Sequence, residues 1–314
     1  MMLSLVIPAY NEEESIPLLY ERLKQVLQRL KEDYEIIFVD DGSTDGTYEK
    51  LKELALKDPK VKVIRFKRNY GQTAAMSAGF EHAKGEVIIT LDADLQNDPE
   101  DIPILLEKLK EGYHIVSGWR KDRKDPFLSR KLPSMIANWL ISKITGVHLH
   151  DYGCTLKAYR SEVVKDLELF GDMHRFLPAL TKRKGAKITE VVVRHHPRIY
   201  GKSKYGIGRT IRVLLDILLV KFLNEYINKP LYMFGSVGFV LLTLGMLALI
   251  YLIFVKLFLE ESIGGRPLLI LSVLSILAGI QLISTGLLAE ILVRIYYKTK
   301  DTKPYIIQEK INID

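Results

Sequence analysis

Val87-Ile88-Ile89-Thr90-Leu91-Asp92-Ala93-Asp94-Leu95-Gln96 is the stretch that decides the fold class. Five apolar or β-branched residues run straight into Asp-x-Asp, which describes a buried strand ending in carboxylates. In an open α/β sheet, ligands bind in the crevice outside the carboxyl ends of the strands. Two hard oxygen donors at such a place suit Mg²⁺ or Mn²⁺, which one or two carboxylates hold together with substrate phosphates. A lone Asp-x-Asp is also a common solvated loop, so the reading depends on what else converges on the same edge.

Two further segments converge there. Leu3-Ser4-Leu5-Val6-Ile7-Pro8-Ala9-Tyr10-Asn11-Glu12-Glu13 reads as a short strand that Pro8 ends, because proline cannot donate to a ladder. Asn11 and the acids Glu12 to Glu14 then read as the cap and first turn of a helix. Tyr34-Glu35-Ile36-Ile37-Phe38-Val39-Asp40-Asp41-Gly42-Ser43-Thr44-Asp45-Gly46-Thr47 repeats the plan: an apolar strand, two acids, a Gly-rich turn and a capped helix. Asn97-Asp98-Pro99-Glu100-Asp101 caps the helix after the third strand, with Pro99 in its first turn. Three strands with polar C-terminal ends, each followed by a helical stretch, predict a mostly parallel sheet with a nucleotide crevice. No Gly-x-Gly-x-x-Gly follows the first strand, which argues against a dinucleotide dehydrogenase.

Composition divides the chain of 314 residues. Up to about Lys229 charged and apolar segments alternate, as in a globular α/β protein. Leu231 to Val255 is then 25 residues without a charge, and Pro267 to Ala289 is 23 more. At 1.5 Å per residue, each helix reaches roughly 35 Å, enough for a hydrocarbon core of about 30 Å. Both stretches are C-terminal and the N-terminus opens on a strand, so neither reads as a signal peptide. Eight Lys or Arg lie between Arg194 and Lys229 and five between Arg294 and Lys310, while the link Lys256 to Arg266 balances two basic residues against Glu260 and Glu261. Basic flanks stay cytoplasmic, which puts the catalytic part and both termini in the cytosol. Apolar positions Ile207, Ile211, Leu214, Leu215, Leu218 and Phe222 give 207–227 one apolar helical face. Such a helix lies at a membrane interface or packs on the globular part.

The net charge of +7 therefore reads as a bias toward anionic headgroups. No helix-turn-helix, RNP-like or zinc-ligand pattern supports a nucleic-acid partner. The single cysteine, Cys154, excludes an intrachain disulfide and fits a reducing compartment. His195 and His196 are adjacent on an extended segment and point to opposite faces, a poor chelate.

Pro8-Ala9-Tyr10-Asn11-Glu12, Asp40-Asp41-Gly42-Ser43 and Asp92-Ala93-Asp94-Leu95-Gln96 resemble the donor-site signature of family 2 glycosyltransferases with the GT-A fold. Gly201-Lys202-Ser203-Lys204-Tyr205 and the two apolar spans are similar to the polyprenyl-phosphate branch, which includes dolichol-phosphate mannose synthase and undecaprenyl-phosphate glucosyltransferases. The resemblance implies an α/β GT-A domain over 1–205, an amphipathic juxtamembrane helix over 206–229, a transmembrane hairpin over 230–293 and a cytosolic tail over 294–314. It implies an integral membrane protein of the cell or ER membrane that moves one hexose, with inversion, from a nucleotide sugar to a polyprenyl phosphate. UDP-glucose and GDP-mannose both fit. Related enzymes are often oligomers, so a homo-oligomer is a further expectation.

Leaving-group charge on the departing diphosphate needs a cation, and Mg²⁺ or Mn²⁺ is the expected one. Asp94 is the first choice of ligand, Gln96 completes the shell as the resemblance implies, and Asp92 touches the ribose or a metal water. Pro8, Ala9, Tyr10, Glu12 and Asp41 are the nucleoside contacts the resemblance implies, with Ala93 beside them. Either Asp40 or Asp41 accepts from the base. The basic residues that phosphates require are Arg120, Arg130, Lys131 with Ser134, and Arg175. By resemblance, Arg198 and Lys204 close over the donor diphosphate and Arg130 with Ser134 meets the acceptor phosphate. The catalytic set is thus Asp94, Asp92 and Arg130, and Asp151 is the base if the acceptor is a hydroxyl. A processive polysaccharide synthase is the competing enzyme, although no Gln-x-x-Arg-Trp segment is present. A silent nucleotide-sugar scaffold is the competing non-enzyme.

Overall fold

Burial on both faces explains the two central strands. β1 (Met2–Ala9) and β2 (Asp33–Asp40) are apolar along nearly their whole length, without the alternation of a half-exposed strand. They pair in parallel, Leu5 opposite Ile36 and Ala9 opposite Asp40. β3 (Val61–Phe66), β4 (Val87–Thr90), β5 (Ile115–Trp119), β6 (Lys157–Arg160), β7 (Ile188–Val192) and β8 (Ile307–Ile311) extend the sheet in the order β7-β5-β6-β4-β1-β2-β3-β8. Only β6 and β8 run antiparallel to the others. This is the mostly parallel α/β architecture expected from the three acid-tipped strands.

The computed structural model describes residues 1–121, 132–165, 167, 169, 173–182, 185–197, 222, 230–298 and 304–313. Two compact units emerge, Met1–Val220 with Lys303–Asp314 and Lys221–Thr302. The apolar face of the expected helix 207–227, apart from Phe222, falls outside the described residues.

In the first unit α1 (Ile16–Leu30), α2 (Thr47–Lys57), α3 (Gln72–His82), α4 (Ile102–Lys110), α5 (Leu132–Thr145), α6 (Ser161–Val164) and α7 (Leu177–Thr181) alternate with the strands. α1 buries Leu19, Tyr20, Leu23, Val26 and Leu27, one stripe at three- and four-residue spacing. α3 lies so close to β1 that a Cβ on Gly79 would stand 2.2 Å from Val6 Cγ1. At the opposite edge from the acid-tipped ends, buried Glu35 accepts from Ser4 Oγ and Lys62 Nζ and so ties three strands together.

Two local expectations are corrected. β1 does not end at Pro8; it runs on to Ala9, with Pro8 opposite Val39. The carbonyl of Ala9 accepts from Asp41 N on the β2 side at 2.9 Å. Alternation then points the nitrogen of Pro8 toward β4, where pairing has already stopped at Val6–Thr90. Asn11 does not cap a helix either. It takes a left-handed φ of 53°, and α1 begins only at Ile16, after Ser15. Its side chain instead accepts from Thr44 N at 2.8 Å, a cross-loop bond.

The second unit contains α8 (Pro230–Phe258) and α9 (Pro267–Lys298). Leu231–Phe258 and Pro267–Ala289 are long and apolar enough to cross a membrane. Phe239, Leu247, Ile270 and Leu288 are among many large side chains left exposed on them. They meet through small residues: a Cβ on Gly238 would lie 2.7 Å from the Gly279 carbonyl oxygen.

The segment 294–314, expected to be a tail, carries β8. This strand adds to the outer edge of β3, Val63 opposite Ile311. Tyr305 stacks on Phe66 with ring centroids 4.9 Å apart, and Asn312 Nδ2 donates to the carbonyls of Ala55 and Val61 at 2.7 and 2.8 Å.

Candidate active site

The loops after β1, β2, β3 and β4 meet at one edge of the sheet, as the strand-end argument requires. Asn11 N donates to Ser43 Oγ at 3.0 Å and Glu12 N to Thr47 Oγ1 at 2.8 Å, which fastens the first loop to the second. Asp40, wholly buried, accepts from Ser43 N at 3.0 Å and tightens the turn. Its other oxygen has no hydrogen bond among the described residues and stands 3.7 Å from Arg65 Nε. Burial raises the Asp40 pKa from its ordinary value.

Asp41 reaches across to the loop after β3. Its two oxygens accept from Tyr70 N at 2.7 Å and Gly71 N at 2.9 Å. Burial pushes its pKa up to about 6 against the pull of those two donors. Gly42 makes the crossing feasible: φ is +68°, and a Cβ there would sit 2.4 Å from the Arg68 carbonyl carbon. Around this crossing opens a cleft of about 350 Å³, lined by Tyr10, Gly42, Ser43, Thr44, Arg65, Phe66, Lys67, Arg68, Asn69 and Gln308. Asp40 and Asp41 do not line it; they hold the loops that do. Pro8 is half-buried and Ala9 buried behind Tyr10, while Glu12 accepts from Ser15 Oγ at 2.8 Å at the foot of α1.

The Asp-x-Asp lies at the end of β4. Asp92 Oδ1 accepts from Gln72 Nε2 at 2.7 Å, so the first turn of α3 orients it. Asp94 is buried and its Oδ1 accepts from Gln96 N at 3.0 Å across Leu95, whose φ is 63°. Ala93 is buried between them. Among the described residues no three His, Cys, Asp or Glu side chains form a metal cage. The donor set of Asp92, Asp94 and Gln96 is oxygen-only and small, which fits a hard cation whose remaining ligands come from substrate phosphates.

Asn97 fixes the next stretch: its Oδ1 accepts from Thr155 Oγ1 at 2.8 Å, and it bridges to His195. His196 N donates to the Gln96 carbonyl at 3.0 Å, and His196 Nε2 pairs with Asp98 Oδ2 at 3.0 Å. The two histidines thus anchor the chain beside the Asp-x-Asp.

Arg120 and Asp151 form the other wall. Arg120 Nε donates to Asp151 Oδ2 at 2.7 Å and Nη2 to Oδ1 at 3.0 Å. Beneath them Lys157 is buried and donates to the Tyr152 carbonyl at 3.1 Å. Burial pulls its pKa down to about 8. Burial also pushes the Cys154 thiol up to about 11, so the lone cysteine is an inert filler here. Arg175, half-buried, and His174, bonded through Nδ1 to Thr73 Oγ1 at 2.7 Å, border a cavity of about 10 Å³ with Lys157, room for one water. Ser134 is half-buried on α5. Arg130, Lys131, Arg198 and Lys204 lie outside the described residues.

The glycosyl transferase family 2 model matches residues 4–168, just over half of the chain. This chain belongs to glycosyl transferase family 2. Dodecaprenyl-phosphate galacturonate synthase of Rhizobium johnstonii is 45% identical over 311 residues, covering 98% of this chain and 92% of the relative. Undecaprenyl-phosphate 4-deoxy-4-formamido-L-arabinose transferase of Aeromonas hydrophila is 37% identical over 310 residues, covering 98% and 93%. Glucosyl-3-phosphoglycerate synthase from Mycobacterium tuberculosis, solved with Mn²⁺ and uridine-diphosphate-glucose, aligns with a TM-score of 0.54 at 18% identity, covering 70% of this chain and 78% of that one. That likeness is one of fold, and it is the GT-A fold.

Within this candidate site, sequence reasoning did not name Gln72, Lys157 or Gln308. Gln72 follows Gly71 at a helix start, where a polar side chain is ordinarily read as solvated. Lys157 carried a signal: it is the one charge in the apolar run Cys154 to Tyr159. Gln308 carried none, because its place depends on a strand closing from the far end of the chain.

Proposed function

We propose that this protein transfers a single sugar from a nucleotide sugar to a polyprenyl phosphate at the cytosolic face of a membrane, with inversion and with Mg²⁺ or Mn²⁺. The observation that carries the reading is Asp94 and Asp92 at the tip of β4, beside a nucleoside-sized cleft, in a chain with two helices long enough to span a bilayer. Full-length similarity to transferases named for polyprenyl phosphates supports the acceptor class. The galacturonate relative, at 45% identity, favours a six-carbon sugar, a hexose or its uronate.

Tyr10 and the Gly42–Thr44 turn hold the nucleoside. Asp92, Asp94 and Gln96 hold the cation, which when bound neutralises charge growing on the departing diphosphate. An oxygen of the acceptor phosphate attacks the anomeric carbon; the bond from that carbon to the donor diphosphate breaks, and nucleoside diphosphate leaves with the electron pair. A phosphate monoester is largely dianionic at pH 7, so the attacking oxygen needs seating and no base. Arg130, Ser134 and Arg175 are assigned to that seat, and Arg198 with Lys204 to the donor diphosphate. Asp151 supports the same mechanism, since both its oxygens accept from Arg120.

Connectivity supports this topology. The chain leaves the catalytic unit, contains two candidate spans, and returns to pair β8 with β3. Two crossings would put both termini on one face, and the basic flanks favour the cytosolic one.

The test is a transfer assay with the full-length protein in nanodiscs carrying undecaprenyl phosphate, a panel of UDP- and GDP-sugars, and Mn²⁺ or chelator. A lipid-linked monosaccharide that disappears with chelator is the expected product. Polymer, or transfer only to a hydroxyl acceptor, overturns the reading.

A further inference from the structure

β8 is not a regular edge strand. Ile307 stands opposite Phe66 and Glu309 opposite Arg65, so the register shifts and Gln308 is the extra residue. A bulge of this kind leaves one residue out of the ladder and re-aims its side chain, and such bulges concentrate at sheet edges beside active sites. Glu309 turns toward α2, 3.8 Å from Lys52 Nζ. Gln308 is the residue of β8 that lines the cleft, facing the same space as Tyr10 and Ser43. It is exposed, and its amide has no hydrogen-bond partner among the described residues.

We infer that Gln308 binds the nucleobase of the donor, so that base recognition depends partly on the strand that follows the two apolar helices. The inference rests on the reading of the cleft as the nucleoside site. The pairing edges of uracil and guanine each present a ring N–H next to a carbonyl oxygen. A primary amide presents the matching acceptor and donor on one planar group. One cation of that wall is already engaged: the Arg65 guanidinium lies 3.9 Å from the centre of the Tyr48 ring and faces Asp40. Gln308 therefore brings a neutral donor–acceptor pair to a wall whose other long side chains are Arg65, Lys67 and Arg68. Pairing with β3 does not require the bulge; presenting an amide to the cleft does.

The experiment is calorimetric titration of the full-length protein in detergent, with Mn²⁺, using UDP and GDP as probes. Wild type, Gln308→Ala and Tyr10→Ala are compared, each with its melting temperature. Wild type is expected to prefer one nucleotide. Gln308→Ala is expected to weaken that nucleotide roughly five- to tenfold, the range of one net hydrogen bond, at an unchanged melting temperature. If Gln308→Ala leaves both affinities within twofold while Tyr10→Ala weakens them, the role of Gln308 is overturned and the cleft assignment stands. If neither substitution weakens binding, the cleft is not the nucleoside site and both fall.

Discussion

Arg120 and Asp151 form a two-point ion pair, Nε to Oδ2 at 2.7 Å and Nη2 to Oδ1 at 3.0 Å, with both side chains largely buried. Asp151 also accepts from Gly153 N at 3.1 Å, so one carboxylate orients the arginine and shapes the loop that follows it. Burial works against the Arg120 charge, but the bonds and charge of Asp151 outweigh it and raise the Arg120 pKa, with a smaller contribution from Asp92. The pair is a wall of the site rather than a free base beside a free cation.

Removing one partner of such a pair strands a buried charge. Asp151→Ala should cost about 3–5 kcal/mol, visible as a large drop in melting temperature. Arg120→Met with Asp151→Leu should recover most of the loss, since the desolvation cost goes with the charges. Asp151→Asn, which keeps an acceptor, should retain measurable transfer to a lipid phosphate. A fall of about four orders of magnitude in that variant, with acceptor binding intact, would mark Asp151 as a base.

Asp94→Ala should abolish transfer and leave the melting temperature close to wild type. The carboxylate is buried at a strand tip, where its Oδ1 accepts from Gln96 N in one short turn, and the smaller side chain should leave Ala93 and Leu95 in place. Circular dichroism and a transfer assay on the same preparation check both halves. Full activity of Asp94→Ala would remove the metal assignment.

Asp41 gives the site a pH limit. Its folded pKa of about 6 lies above the ordinary aspartate value, because burial disfavours the charge. Its contribution to stability is therefore greatest below the unfolded pKa and is lost as pH rises through about 6. Function runs the other way. Only the ionised carboxylate accepts from both Tyr70 N and Gly71 N without presenting a proton to one of them. Nucleotide affinity should fall as pH drops from 7 to about 5, and Asp41→Asn should be weak and flat over the same range. Titrations of the wild type that stay flat to pH 5 contradict this.

Truncation after Asn228 removes more than the apolar helices. It strips β8 from the edge of β3 and the Tyr305 ring from Phe66. The truncated protein should melt well below the full chain and aggregate through the opened edge. A version that joins 228 to 304 through a flexible linker should melt close to wild type. Equal stability of the two shortened proteins would show that β8 adds nothing to the sheet.

Several features were legible from local pattern alone. The acid-tipped strands 3–7, 34–39 and 87–91 became β1, β2 and β4 side by side, because a run of apolar residues that long has to be covered on both faces. The two uncharged stretches became α8 and α9 for the same reason of scale. The Asp-x-Asp, Tyr10 and Asp41 all reached one edge, since in a parallel sheet the strand ends that carry them coincide. Local rules failed where a distant loop supplied the partner. Asn11 has the composition of a cap, yet Thr44 N takes its oxygen. Pro8 has the composition of a strand end, yet the missing donor faces a side with nothing left to pair.

What the sequence determined by itself is the class of chemistry: carboxylates at the C-terminal ends of buried parallel strands, and a hydrophobic length that matches a bilayer. Both are properties of contiguous residues, read through period and composition. What only the tertiary structure decided is which oxygen meets which donor. Asp151 and Arg120 are 31 residues apart, Asp92 and Gln72 are 20, and Gln308 reaches the cleft from beyond both apolar helices. Hydrogen bonds and ion pairs act over about 3–4 Å in space whatever the separation along the chain, so those partnerships exist only once the sheet has closed.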